Sequence, residues 1–120
     1  MQVVVLITLE DGLSFPSGFM SPADYKCVLY ARVPADWVEG ASLKTNKLET
    51  FFQNFYGATW RMGNEDGSQF VVRSVETRVL TPAEEQSAPW KEVSNNKEYR
   101  YWFYHVSDSG ELQTVQAAEF

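Results

Sequence analysis

The chain is poor in the residue types that build metal sites, nucleophilic centres and disulfide bridges. Its 120 residues include one cysteine, Cys27, and one histidine, His105. A single cysteine excludes a disulfide-stapled secreted domain and favours a reducing compartment. Zinc sites need clusters of such side chains, and any histidine-based catalytic triad would depend on His105 alone. The sequence therefore predicts no metal, no cofactor and no catalytic residue, and it predicts Cys27 as a small buried apolar residue.

Long apolar runs and phosphate-binding motifs are also missing. No segment approaches the roughly 18 apolar residues of a membrane helix, and no Gly-rich phosphate loop or dinucleotide fingerprint occurs. The apolar start, Met1–Leu9, lacks a basic flank and leads into Glu10-Asp11-Gly12, which indicates a strand rather than a signal peptide. These features predict a cytoplasmic protein without membrane contact. The net charge of −6 and the pI of about 4.7 oppose binding to phosphate backbones.

Aromatic residues, in contrast, are abundant. They make up 15% of the chain, and 44% of all residues are hydrophobic, which suffices for the core of one domain spanning residues 1–120. The segment Tyr99–Val106 is the strongest strand signal, since every residue except Arg100 is aromatic or β-branched. Side chains alternate along a strand, so one face carries Tyr99, Tyr101, Phe103 and His105, and the other carries Arg100, Trp102, Tyr104 and Val106. Such a strand is either covered on both faces or uses one face for binding.

The first third of the chain contains turn and capping signals between apolar segments. Gln2–Leu9 is predicted as a strand, and Asp11-Gly12 as a hairpin turn that leads into an irregular partner strand. Ser21 and Pro22 suit the start of a helix over Tyr25–Val33. This second segment is also rich in β-branched and aromatic residues that suit a strand, so the choice stays open.

A second helix is marked by spacing. Its apolar residues recur at i, i+3, i+4 and i+7, and they are Leu48, Phe51, Phe52 and Phe55. Asn46 and Glu49 resemble a capping box, and Gly57 suits the C-terminal end. We expect the aromatic stripe of this helix to pack on a sheet.

The second half of the chain suggests two hairpins around a polar loop. Thr59–Met62 is predicted to pair with Gln69–Leu80, in which Phe70 and Val72 face one way and Val71, Val75 and Val79 the other. Thr81–Asn96 is long and polar, with a helical turn at its start, and the chain closes with a hairpin of Tyr99–Val106 and Leu112–Ala118. Sequential hairpins predict an α+β fold, a single domain with a mainly antiparallel sheet and one or two short helices packed on one face.

Protein binding is the function that these features favour. Aromatic residues and arginine are enriched in interface cores, and Trp37 and Trp90 lie in predicted loops where they would serve as exposed anchors, unless each ring pins its own loop. The predicted partner-binding residues are Trp90, Lys91, Glu92, Trp37, Tyr99 and Tyr101. The expected function is a non-enzymatic interaction module or inhibitor. Small inhibitors, immunity proteins and antagonists of host protein complexes from phages or other mobile elements share this acidic, cofactor-free profile.

Two alternative functions remain open. Tyr99, Tyr101 and Phe103 would form a stacking platform for single-stranded nucleic acid if basic side chains lay beside them. The candidates for that role are Lys97, Arg73, Arg78 and Arg100. The other alternative is a small enzyme without a recognisable motif.

Overall fold

A mixed β-sheet forms the centre of the structure, which a computed structural model describes for residues 1–21, 25–93 and 97–120, with the backbone alone at Tyr25. The strands are β1 (Gln2–Ser14), β2 (Tyr25–Pro34), β3 (Val38–Glu39), β4 (Ser42–Leu43), β5 (Gln69–Val79), β6 (Tyr99–Val106) and β7 (Leu112–Val115). The α-helices are α1 (Thr45–Tyr56) and α2 (Pro82–Ser87). The central sheet has the order β5-β1-β2-β6-β7, and β3 and β4 form a separate hairpin. The predicted α+β class is confirmed.

Strand pairing in the central sheet is antiparallel with one exception. β1 pairs with β2 and β5, and β6 pairs with β7, all in antiparallel orientation. β2 and β6 are parallel, which sequential hairpins did not predict. Parallel neighbours need a long crossover connection, and the chain between Pro34 and Tyr99 supplies it.

The predicted hairpin turn at Asp11-Gly12 is wrong, because β1 continues through both residues. Asp11 pairs with Tyr25 and Val72, and Gly12 pairs with Val71. The reversal comes later, in the loop after Ser14, where Gly18 has a φ of +87°. Pairing on both sides of β1 thus outweighs the local turn preference of the Asp-Gly dipeptide.

For Tyr25–Val33, where helix and strand both stayed open, the structure shows a strand, β2, so the helix interpretation is wrong. Of the residues predicted to start that helix, Pro22 lies outside the described residues. β2 pairs with β1 over its whole length and with β6 from Lys26 to Arg32. Cys27, Leu29, Ala31 and Val33 are all completely buried. Continuous apolarity is typical of a strand that is covered on both faces. The β-branched and aromatic residues of this segment pack well on the pleated surface of such a strand.

Helix α1 confirms the predicted aromatic stripe. Phe51 and Phe52 are buried, while Leu48 and Phe55 are half-buried against the same core. The predicted cap is wrong, since the N-cap residue is Lys44 and no side chain caps the helix. Gly57 ends the helix with a φ of +63°, a conformation that favours glycine.

Strand β5 pairs with β1 rather than with Thr59–Met62, so the hairpin predicted for these segments is wrong. Residues 57–60 instead form a short 3-10 helix. The pairing register shifts between Glu10 and Asp11, opposite Ser74 and Val72, and this leaves Arg73 as the extra residue of a bulge. Because of this shift, the prediction that Phe70 and Val72 face away from Val79 is wrong. All three residues pack on one core.

The predicted helical turn after Thr81 is present as α2. The Thr81 hydroxyl accepts a hydrogen bond from the Glu84 N–H, and the Glu84 carboxylate accepts one from the Thr81 N–H. The final hairpin is confirmed as β6 and β7, although β7 ends at Val115 and residues 117–119 form a 3-10 helix. Of the predicted loop Thr81–Asn96, residues 94–96 lie outside the described residues.

Two apolar clusters cover opposite faces of the sheet. We call the first the α1 face, because its strand residues pack with Phe51 and Phe52 of α1. We call the second the Trp90 face, because Trp90 and Phe120 pack on its strand residues. Trp102, Tyr104 and Val106 belong to the α1 face, and Tyr99, Tyr101 and Phe103 to the Trp90 face. The predicted alternation of β6 is therefore confirmed.

Candidate functional site

The loop between β1 and β2 exposes apolar side chains. We call residues 15–20 the Phe19 loop. Phe19 is 60% exposed and the neighbouring Met20 is 45% exposed. Isolated exposed apolar residues are common on protein surfaces, but adjacent ones that include an aromatic ring form a small patch. Aromatic residues and methionine are enriched where proteins bind each other.

Hydrogen bonds within the chain connect the residues of the Phe19 loop. The Phe15 N–H donates to the Phe19 carbonyl at 2.9 Å, and the Gly18 N–H donates to the Phe15 carbonyl at 3.0 Å. At its base, the Leu13 N–H donates to the Ser21 hydroxyl at 2.8 Å. The Phe15 and Phe19 rings lie 5.9 Å apart. A loop ordered in this way loses less conformational entropy when it binds a partner.

A second loop supports the Phe19 loop from one side. Pro16 lies so close to Gly67 that a Cβ atom on Gly67 would sit 2.6 Å from the Pro16 Cγ. Gly67 also has a φ of +84°, which disfavours other residues. Any side chain at position 67 would therefore displace Pro16 within the Phe19 loop.

The two predicted tryptophan anchors are buried, so their expected exposure is wrong. Trp90 is 4% exposed and lies edge-on to Phe120 and Tyr30, with centroid distances of 5.0 and 5.9 Å. Trp37 is 6% exposed and lies edge-on to Phe51 at 5.9 Å. Each ring pins its own segment to the sheet, as the alternative interpretation held.

The other predicted partner-binding residues keep some exposure. Lys91 and Glu92 are exposed beside Trp90. Tyr99 and Tyr101 are half-buried on the Trp90 face, with ring centroids 6.4 Å apart. The structure thus brings five of the six predicted residues to the Trp90 face or its border, while Trp37 lies on the α1 face.

The proposed nucleic-acid platform has acidic surroundings. Phe103 is 7% exposed, because it stacks on Tyr30 and contacts Phe120. A hollow beside Tyr99 is lined by the carboxylates of Glu10 and Glu76. Of the predicted basic residues, Arg78 is tied to Glu84 by two hydrogen bonds of 2.6 and 2.7 Å, and Arg100 lies on the α1 face.

A pocket between α1 and the sheet contains a buried carboxylate. We call it the Asp11 pocket. It has a volume of about 190 Å³ and is lined by Asp11, Cys27, Phe55, Tyr56, Phe70, Arg100 and Trp102. Asp11 is completely buried, and the Tyr56 hydroxyl donates to its Oδ2 at 2.5 Å. Burial and this hydrogen bond raise the pKa of Tyr56. The tyrosine therefore stays a neutral hydrogen-bond donor.

The thiol in this pocket is unsuited to nucleophilic chemistry. Burial and the negative charge of Asp11 raise the pKa of Cys27 to about 12, although Arg100 acts in the opposite direction. The thiolate, which is the reactive form, is thus disfavoured at neutral pH. His105 cannot activate Cys27, because it packs with Phe120 on the other face of the sheet.

Neither the Phe19 loop nor the Asp11 pocket has a recognisable signal in the local sequence. Asp11 was interpreted as a turn residue because glycine follows it, and the exposure of Phe19 depends on where the chain reverses.

Among the described residues, no group of three His, Cys, Asp or Glu side chains is placed to hold a metal ion. No helix within residues 1–21, 25–93 and 97–120 has the length and apolarity to cross a membrane. In comparisons with known proteins, no protein family, curated protein or solved structure matches the chain.

Proposed function

We propose that this protein is a non-enzymatic binding module that attaches to a protein partner through the Phe19 loop. The adjacent exposure of Phe19 and Met20 on a hydrogen-bonded loop carries this proposal. Burial of apolar surface contributes about 25 cal/mol of binding free energy for each Å² removed from water. Because hydrogen bonds already order the loop, less of this free energy is offset by lost conformational entropy on binding. The module would act in the cytosol as an inhibitor that occupies a surface of its partner.

The charge distribution favours a protein partner over nucleic acid. The hollow beside Tyr99 contains two carboxylates, and the protein has a net charge of −6. Single-strand binders instead combine stacking aromatics with a positively charged groove. An enzymatic function is less well supported, because Cys27 and His105 lie on opposite faces of the sheet.

The test compares two exposed apolar side chains on different loops. Phe19→Ser removes the proposed anchor, and Met62→Ser is the matched control because Met62 is 86% exposed. Both variants should fold normally, since exposed substitutions usually change stability by about 0.5 kcal/mol or less. Tagged proteins are used for affinity capture from the cells that make them, with and without nuclease.

We expect the wild-type protein and Met62→Ser to retain the same protein partner after nuclease treatment, and Phe19→Ser to lose it. With the purified partner, Phe19→Ser should weaken binding by about 2 kcal/mol, the scale of an interface hot spot. Equal retention by the two variants would place the interface elsewhere. Loss of all captured material on nuclease treatment would favour nucleic acid instead.

A further inference from the structure

Strand β5 lies at the border of the central sheet and pairs with β1 on one side only. On its outer side, the Val79 N–H donates to the Ala41 carbonyl at 2.8 Å. Backbone groups of alternate residues point to the same side of a strand, so those of Thr77 and Val75 also point away from β1. We call the outer side of Val75–Thr77 the β5 edge.

The outward backbone groups of the β5 edge are unpaired in the part of the chain that the structure describes. No backbone hydrogen bond joins the outward N–H and C=O groups of Val75 and Thr77 to another described residue. The Leu43 N–H donates to the Thr77 hydroxyl at 3.0 Å instead of to its carbonyl, so β4 diverges from β5 at this point. An unpaired strand edge is a template for pairing with another chain.

A hollow of about 670 Å³ lies along the β5 edge, where β4 diverges. Its lining includes Val75 and Thr77 of β5 and Leu48 of α1. Val75 is 36% exposed and Leu48 is half-buried, so both side chains have surface that a ligand can reach. The volume lies within the range of about 300–1,000 Å³ that is usual for binding pockets. The β5 edge therefore has space for an added segment of chain.

The two sides of the β5 edge differ in chemistry. Val79 packs on the α1 face, so Val75 and Thr77 point to that face and Glu76 points to the Trp90 face. Glu76 is exposed and lines a hollow together with Glu10. It forms no ion pair within the described ranges. A segment at this edge therefore meets apolar surface on one side and negative charge on the other.

The position of Ala41 limits the length of the segment. In antiparallel pairing centred on Val75, Val71 of a second copy would lie beside Val79, where Ala41 already binds the Val79 N–H. The 11-residue β5 of a second copy therefore does not fit. A short extended segment that ends before Ala41 avoids this overlap.

We propose that the β5 edge binds an extended segment of a partner protein in which apolar and basic residues alternate. The segment runs antiparallel to β5, in the direction in which β4 approaches it. Opposite residues in such a pair exchange both backbone hydrogen bonds and share one face of the sheet. The apolar residues therefore pair with Val75 and Thr77, and the basic residues contact Glu76. The Phe19 loop takes no part in this pairing, so the two proposals can fail independently.

The probe is a capped hexapeptide in which valine and lysine alternate, and its binding is measured by calorimetry. Amide exchange at Val75, followed by NMR, reports on the edge itself. At a peptide concentration ten times the Kd, exchange at Val75 should slow about tenfold. A hexapeptide with glutamate in place of lysine should bind at least about threefold more weakly, the scale of an exposed ion pair.

Methylated forms of the peptide test the backbone pairing. N-methylation of the valines removes the N–H groups that face Val75 and Thr77, and should weaken binding at least about fivefold, the scale of one hydrogen bond. N-methylation of the lysines changes only N–H groups that point away from β5. This matched control should bind like the unmodified peptide.

Variants of the protein test the same contacts from the other side. Val75→Pro removes the outward N–H, and proline is accepted on edge strands where the N–H faces solvent. It should weaken peptide binding about fivefold, whereas Val75→Thr keeps the N–H and should bind like the wild type. Glu76→Gln should weaken binding about threefold. Glu65→Gln is its control, since Glu65 is exposed and does not line the hollow.

Three results would overturn the proposal. The first is unchanged amide exchange at Val75 up to the solubility limit of the valine–lysine peptide. The second is equal binding of the valine-methylated and unmodified peptides, which decides the pairing even if Val75→Pro does not fold. The third is a wild-type dimer in analytical ultracentrifugation that Val75→Pro converts to a monomer, which would assign the β5 edge to a second copy.

Discussion

Replacing Trp90 by alanine tests whether the segment after α2 is held by its tryptophan. Trp90 is 4% exposed, and its ring contacts Tyr30 and Phe120 edge-on. The Arg32 guanidinium lies over the same ring, 5.5 Å from its centroid. Truncation would leave a cavity at the centre of the Trp90 face and would remove the surface on which Phe120 packs.

The expected loss is large relative to the stability of a domain of this size. Truncation of a buried tryptophan to alanine costs about 3–5 kcal/mol, whereas whole domains are stable by about 5–15 kcal/mol. Unfolding entropy is about 2.1 cal/mol/K per residue, or about 0.25 kcal/mol/K for 120 residues. The melting temperature should therefore fall by about 12–20 °C.

Urea unfolding, followed by far-UV circular dichroism, measures this loss directly. Lys91→Ala is the neighbouring control, since Lys91 is exposed and its truncation should change stability by about 0.5 kcal/mol or less. A loss below about 1 kcal/mol for Trp90→Ala, at an unchanged denaturant slope, would show that Trp90 contributes little to holding this segment.

Two further predictions concern ionisable groups. Cys27 is completely buried and its pKa is raised to about 12. Iodoacetamide should therefore leave Cys27 unmodified in the native protein at pH 8 and alkylate it fully in urea, as measured by mass spectrometry. Rapid alkylation of the native protein would contradict the burial of this thiol. The Arg78 guanidinium lowers the pKa of Glu84, so the stability from this contact is present above the ordinary glutamate pKa and is lost as the pH falls through the lowered value. Acid unfolding of Glu84→Gln should lack this component, and a profile identical to wild type would contradict it.

Elements with strong local signals could be predicted from the sequence. Helix α1 has a helical apolar period, α2 has a capping box at Thr81, and the β6–β7 hairpin joins a strongly β-forming run to a glycine turn. In each of these cases a few neighbouring residues determine the conformation, and tertiary contacts agree with them.

Elements that depend on distant partners could not be predicted in this way. β2 has helix-start signals before it, but its conformation is decided by pairing with β1 and β6. The Asp11-Gly12 dipeptide has a strong turn preference, yet strands on both sides keep it extended. The tryptophans were predicted as anchors because they lie between regular elements. Their burial depends on which sheet face each loop crosses, and local sequence does not contain that information.

The bulge at Arg73 shows how such a non-local feature shapes the Asp11 pocket. From Val79 to Val75, alternate residues of β5 face α1, and strict alternation would send Val72 and Phe70 to the Trp90 face. The extra residue reverses this order, so that Val72 and Phe70 pack on the α1 face. Phe70 then stacks on Tyr56, whose hydroxyl binds Asp11. The wall of the pocket and the orientation of its carboxylate thus both depend on one unpaired residue, whose position is fixed by the pairing of β5 with β1.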